Sequence, residues 1–336
     1  TINTIFVGQM MGVDAIAAVS VYFPILFLLL AFIIGISTGT TVLVGQAWGA
    51  QNIEKVQSVV GSTLFMTIIG GIITAILGVF FAHDILELLG TDPKVMHLAL
   101  PYVQWMLAGS PLLFVYIIYT SILRGVGDST TPLLALALTS VIGVIITPIL
   151  LKGYFGFPAL GIIAPAIASI ISYIAILIFL AIYLNKKNHS LRPNRQLLQH
   201  IRHNPELSKI ILRLGVPTGI QMITTSMAGL VIVGLVNHYG SHATAAYGAV
   251  NQVLNYIQFP SISISIAASI FAAQAIGAGK SYLLARVTRT ALGMNFLFTG
   301  ALIALGYLFS KYLMALFITD PTVVVLGQQL LFIVLW

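Results

Sequence analysis

The sequence predicts an all-α polytopic membrane protein, two six-helix bundles related by pseudo-two-fold symmetry, on three observations. The first is composition: of 336 residues 59% are hydrophobic and only 7% charged, far less charge than a soluble domain of this length carries. The second is that apolar runs of about 20 residues follow one another with short polar breaks, the length a helix needs to cross a bilayer. These runs do not alternate, which excludes an outer-membrane type of barrel. The third is an internal repeat. Gln46 and Gln274 differ by 228, as do Gly12 and Gly240, Ala18 and Ala246, Ser37 and Ser265, and Ala50 and Ala278; the same offset carries "TDP" at 91–93 onto "TDP" at 319–321. One register over more than 80 residues without a gap is a duplication. With an even number of spans per half, the repeats run parallel, about an axis along the membrane normal.

Taken in order, residues 1–11 read as the tail of a helix, and spans follow near 15–43, 55–82, 95–123, 131–151, 158–184, 210–237, 243–273, 283–310 and 322–336. That makes about ten of twelve expected helices. The chain begins without Met and stops in an apolar run, so it is expected to be a piece of a longer protein, with helices eleven and twelve beyond Trp336 and no stability or activity in isolation. Pro24, Pro111, Pro148, Pro165, Pro217 and Pro260 fall inside the spans, where freed carbonyls need a neighbouring helix or a cavity. "GQAWGA" at 45–50 and "AQAIGA" at 273–278 are expected to be polar turns of small residues where helix ends approach closely. "RGVGDSTTP", 124–132, reads as a turn in which Asp128 or Ser129 caps the next helix. Arg124 and Asp128 are expected to pair at the surface, or to latch two conformations.

One long linker, 185–209, is polar and basic. It divides the chain into an N-terminal bundle (1–185), a linker (186–209) and a C-terminal bundle (210–336). Putting the linker in the cytoplasm places 12 of the 15 Lys and Arg on that side, with only Lys94, Lys152 and Lys311 opposite. The net charge of +7 thus reports topology and not a nucleic-acid partner. The linker is either a solvated loop or a contact for anionic membrane lipid; its sequon at Asn188 lies on the wrong side for glycosylation. There are no cysteines, so thiolate chemistry and disulfides are excluded. No nucleophile with a base, no paired acids in a span and no phosphate loop are present, so no enzyme is expected and no cofactor.

"NTIFVGQMMGVDAIAAVS" (3–20), "GQAWGAQN" (45–52), "LRGVGDSTTP" (123–132), "LGIIAPAIASIISY" (160–173) and "GVPTGIQ" (215–221) together resemble the MATE family of multidrug and toxin extrusion transporters. The resemblance covers essentially the whole chain and agrees with the repeat. It implies a monomeric antiporter of the bacterial plasma membrane, exporting lipophilic cations or amphipathic compounds in exchange for H+ or Na+. It also implies acids at three places where this chain is neutral: Asn3, Thr147 before Pro148, and Thr225. All eight acids and seven histidines fall in loops or at span ends. The coupling ion then uses an acid elsewhere in the protein or a neutral oxygen site, or else the coupling has been lost.

Candidate pathway residues are polar or aromatic side chains within spans. On the eighth span Asn251, Asn255, Gln258, Ser265 and Ser269 share one helical face; they either line a cavity or bond neighbouring helices. Gln221, Thr224 and Thr225 are placed on the seventh, and Asn3, Thr139, Ser140 and Thr147 in the first half. Tyr22, Tyr116, Tyr119 and Tyr173 offer ring faces to a cation, or simply mark the membrane interface. The competing functions are a lipid-linked or polysaccharide flippase, which needs cationic residues inside the cleft, and a membrane scaffold, which needs no polar-lined cleft.

Overall fold

The computed structural model describes residues 2–156, 158–193, 197, 199–202, 204–315, 317 and 321–335. The described residues form helices and short turns and contain no strand. They are α1 (Ile2–Met11), α2 (Val13–Ser20), α3 (Tyr22–Gly49), α4 (Ile53–Phe80), α5 (Ala82–Leu88), α6 (Pro93–Ala108), α7 (Ser110–Gly125), α8 (Thr130–Lys152) and α9 (Ala164–Lys186). After the linker come α10 (Pro205–Asn237), α11 (Ser241–Gly277), α12 (Leu283–Leu308), α13 (Ser310–Ala315) and α14 (Pro321–Val334). Among the described residues seven segments are long and apolar enough to cross a membrane, and α6 with α7 makes an eighth, bent by 46°. Phe27, Leu28, Ile76, Leu136, Ile145 and Ile178 are exposed, the outward apolar surface that lipid demands.

Local chemistry sets the helix ends. Asn52 accepts from the Lys55 amide (2.9 Å) to start α4, and Asp92 accepts from the Lys94 amide (2.8 Å) to start α6, with Pro93 in its first turn. Asp128 accepts from the amides of Thr130 (3.1 Å) and Thr131 (3.0 Å) and so caps α8, deciding between the two candidates for that role. At the other end Gly153 closes α8 in the left-handed region, φ 73°.

Several sequence expectations are corrected. Pro111 and Pro165 sit in the first turns of α7 and α9, so they begin helices and do not interrupt them. The span expected at 95–123 breaks at Gly109, where two helices meet at 46°, and the one expected from 158 becomes α-helical only at Ala164. "GQAWGA" is no turn up to Gly49: it is the last turn and a half of α3, and the reversal comes at Ala50 and Gln51.

The duplication is written in the backbone. Gly12 (φ 88°, ψ −169°) precedes α2 and Gly240 (φ 92°, ψ 174°) precedes α11. Ala50 (φ −74°, ψ −1°) matches Ala278 (φ −75°, ψ 0°), and Phe81 (φ −94°, ψ 11°) matches Phe309 (φ −107°, ψ 15°). Gln51 (φ 56°) stands where the second copy has Gly279 (φ 69°). Thr319 and Asp320, in the second copy of "TDP", lie outside the described residues.

The chain divides into two compact units, 1–221 and 222–336, so the first half of α10 packs with the first unit. There α7 packs on both α3 and α4. Gly71 of α4 admits the backbone of Pro111, and Gly125 lets the end of α7 reach Val44 and the Thr41 carbonyl. Hydroxyls join the same helices: Ser121 contacts Ser37 Oγ (2.5 Å) and Thr41 Oγ1 (2.7 Å), and Thr40 meets Thr63 (3.2 Å). Several span hydroxyls also donate to the carbonyl one turn back on their own helix, as Thr38, Thr40, Thr41, Thr63, Thr139, Ser140, Ser169, Ser172 and Ser263 do. The second unit has a smaller core, in which Val250, Val253 and Ile257 of α11 pack with Met314, Val324 and Leu331.

Candidate functional site

The first unit encloses a group of four tyrosines from four helices. Tyr22 opens α3, Tyr102 follows Pro101 in α6, Tyr116 lies in α7 and Tyr173 in α9. Tyr22 meets Tyr102 edge to face, with ring centroids 5.9 Å apart at 88°; Tyr116 stacks on Tyr173 at 5.7 Å and 27°. Tyr173 lies near Tyr22 and Tyr102 as well as Tyr116, which brings the two ring pairs into one neighbourhood. Thr139 of α8 hydrogen-bonds Tyr116, and Arg124, half-buried in the last turn of α7, lies near the same side chain.

The Tyr22 ring is 2% exposed, and its hydroxyl is buried with no hydrogen-bond partner among the described residues. A buried hydroxyl left unpaired costs about 1–3 kcal/mol. Tyr116 and Tyr173 are only half-buried, so the group runs from a sealed inner pair to a partly accessible outer pair. Ring faces offer negative electrostatic potential, and the hydroxyl oxygens offer lone pairs. Such a lining suits a cation with apolar surface.

The other residues singled out in the sequence lie elsewhere. Tyr119 is buried, and its hydroxyl donates to the Leu191 carbonyl (2.6 Å), so it holds the linker. Ser140 is exposed and bonds its own helix at Leu136 (2.9 Å), while Thr147 is fully buried ahead of Pro148. Asn3 belongs to α1, but its side chain lies outside the described residues. Gln221, Thr224 and Thr225 are exposed on α10. On α11 Asn251 is half-buried and Asn255, Gln258, Ser265 and Ser269 are exposed, whereas Val250, Val253 and Ile257 face the core. The amide stripe therefore sits off that core face.

Arg124 has no ion pair with Asp128; His189 of the linker lies 3.9 Å from the Asp128 carboxylate instead. Tyr102 was missed by sequence reasoning, and its adjacency to Pro101 was the available signal. Also missed were two Gly-x-x-x-Gly pairs, Gly35/Gly39 on α3 and Gly215/Gly219 on α10. A Cβ on Gly35 would stand 2.7 Å from the Gly215 carbonyl oxygen, and one on Gly39 would stand 2.5 Å from that of Ile211. That spacing is a known signature of close helix contact in membranes.

In the second unit a groove of 310 Å³ lies between α11 and α12, lined by Ile264, Ala267, Phe271, Arg286, Val287 and Met294 among others. Its equivalents 228 residues earlier include Ile36, Gly39 and Val59, and there Gly39 lies against the Ile211 backbone. The groove is thus the repeat of a helix seat.

A family model described as MatE matches residues 1–149 and 217–336. A probable multidrug resistance protein, YoeA of Bacillus subtilis, is 44% identical over 330 residues, covering 98% of this chain and 71% of its own length. A protein of Shewanella oneidensis named FAD transporter is 27% identical over 321 residues, 96% of this chain and 70% of that protein. Among solved structures, MATE in its bent conformation has a TM-score of 0.87 at 22% identity, over 99% of this chain and 73% of that one. This chain belongs to the MATE family and is a multi-pass transporter of the plasma membrane, not an enzyme.

Proposed function

We propose that the protein exports cationic, amphipathic compounds by antiport, and that the group formed by Tyr22, Tyr102, Tyr116 and Tyr173 receives the cation. The single observation that carries this reading is the buried hydroxyl of Tyr22, without a partner among the described residues, at the inner end of the aromatic group. Each ring face is worth roughly 0.5–2 kcal/mol to a desolvated cation. The Bacillus relative is named a probable multidrug resistance protein, which supports drug-like small molecules as cargo. Nothing in the reading calls for a cofactor or a nucleic-acid partner.

For the coupling ion we favour Na+. No carboxylate lies within the apolar core of a span among the described residues: Asp14, Glu54 and Glu206 stand in first turns, Asp84 and Glu87 in short α5, and Asp92 and Asp128 at caps. Tyrosine hydroxyls hold their protons at neutral pH, so oxygen ligation of a metal cation suits these helices better than a proton relay.

A second reading has its own observation. Arg124 beside Tyr116, next to stacked tyrosine rings, would suit a planar anion such as the flavin nucleotide that the Shewanella relative's name indicates.

The test is flux into or out of proteoliposomes holding the full-length protein, under a Na+ gradient, a pH gradient or neither. A fluorescent lipophilic cation and a flavin nucleotide are compared as cargo. The proposal expects Na+-driven cation flux, reduced at least severalfold by Tyr22→Phe and Tyr173→Ala. Flux driven only by a pH gradient would overturn the choice of ion. Flavin flux with no cation flux would replace the cargo, and gradient-independent leak would end the antiport reading.

A further inference from the structure

The linker is fastened to the first unit by a short chain of contacts that transport does not explain. Leu191 is 1% exposed and is held by both of its backbone polar groups. Its carbonyl accepts from Tyr119 Oη of α7 (2.6 Å), and its N–H donates to His189 Nδ1 (3.1 Å). An amide N–H can only donate, so Nδ1 must carry a lone pair, and the imidazole proton sits on Nε2. Nε2 faces Asp128 Oδ2 at 3.9 Å, beyond hydrogen-bond length. Around this clasp, Asn188 accepts from Arg192, and the His189 amide donates to the Leu184 carbonyl at the end of α9 (3.0 Å).

We propose that His189 and Leu191 form a proton-sensitive clasp, closed while His189 is neutral and released when the side of the membrane bearing the linker turns acidic. A protonated imidazole has hydrogen on both nitrogens, so Nδ1 can no longer accept from Leu191, and one of the two bonds that hold the Leu191 backbone is lost. The charged groups facing His189 are Asp128 of the α7–α8 turn and Lys187 at the end of α9, the latter also set over the Tyr183 ring at 4.6 Å. Asp128 favours the imidazolium; partial burial and Lys187 oppose it. Burial is the largest of these, and the His189 pKa is held below its usual value. The sign follows from linkage: the closed clasp binds fewer protons than the open one, so closure is fully present above the free imidazole pKa and lost as pH falls below it. Release lengthens the free tether between α9 and α10.

Amide hydrogen exchange of the purified full chain in detergent, from pH 5 to 8 and corrected for intrinsic exchange, reads the Leu191 N–H directly. Protection should drop about threefold to tenfold across the His189 titration, the equilibrium weight of one hydrogen bond. In His189→Asn the side-chain oxygen makes the same contact two residues on, as in an Asx turn, and does not titrate, so protection should be flat with pH. Tyr119→Phe should lower protection at every pH and keep the slope. In Asp128→Asn, which retains a helix cap, the midpoint should move to lower pH. Flat protection in the parent protein, or an unchanged slope in His189→Asn, would overturn the proposal.

Discussion

Replacing Gly215 of α10 by alanine should destabilise the protein, whereas the same replacement at Gly229, further along the same helix, should not. At Gly215 the new methyl would run into the backbone carbonyl of Gly35, and from the other side a methyl at Gly35 would stand 2.7 Å from the Gly215 oxygen. That is at least about 0.5 Å inside ordinary carbon–oxygen contact. Both partners are main chain, so no rotamer change relieves the overlap, and α3 and α10 must separate. Overpacking of this kind costs about 1–3 kcal/mol. Around Gly229, which is half-buried, nothing lies within 4 Å, and an unobstructed Gly→Ala exchange within a helix stabilises by up to about 1 kcal/mol. Equilibrium unfolding in mixed micelles, followed by circular dichroism, measures both. Once Gly35→Ala has pushed the helices apart, Gly215→Ala should cost less than it does alone. Equal effects at positions 215 and 229 would refute the close contact.

Two further outcomes follow from single residues. Asp128→Ala should cost about 1–2 kcal/mol near neutral pH, the usual weight of a lost cap. Although partial burial raises the Asp128 pKa, bonds from the hydroxyl and amide of Thr131 and the hydroxyl of Thr130 outweigh it and hold the pKa below its usual value. The deficit should therefore be full above about pH 4, the unfolded value, and shrink as pH falls through the lower folded one; unfolding measured at pH 7 and pH 3 checks this. Gln51→Gly should stabilise by about 0.5–1 kcal/mol, because Gln51 holds φ 56° where the second copy already has a glycine; thermal unfolding of the two proteins side by side decides it.

The spans and the duplication were legible because both depend on patterns that survive without contacts: apolar length, and one offset of 228 carrying residue onto residue. The family followed from motifs in order. What stayed hidden depends on which helix meets which. The break at Gly109 needed the approach of Gly71 to Pro111 to be known. The two Gly-x-x-x-Gly pairs were visible as text, but more than 170 residues separate them, and only packing shows that they answer each other. Tyr22, Tyr116, Tyr119 and Tyr173 were read together as ring faces for a cation, but only packing shows that Tyr102 joins Tyr22, that Tyr116 stacks on Tyr173 and that Tyr119 holds the linker instead. Arg124 and Asp128 looked like partners because they are close in sequence, yet the acid faces a histidine 61 positions later.

The hydroxyls that bond back to their own helices carry a last consequence. Thr139, Ser140, Ser169 and Ser172 have each committed their only hydrogen to a carbonyl one turn away. At Thr139, Ser140 and Ser169 what remains to meet a visitor is oxygen lone pairs, whereas Ser172 is buried. Each such group is electrically neutral and still has a preference of sign: its lone pairs favour positive charge, while an anion finds donors only elsewhere, at Arg124 or at a tyrosine hydroxyl. The helices can thus discriminate by polarity without burying a carboxylate, and without a group whose discrimination would fade as the pH changes.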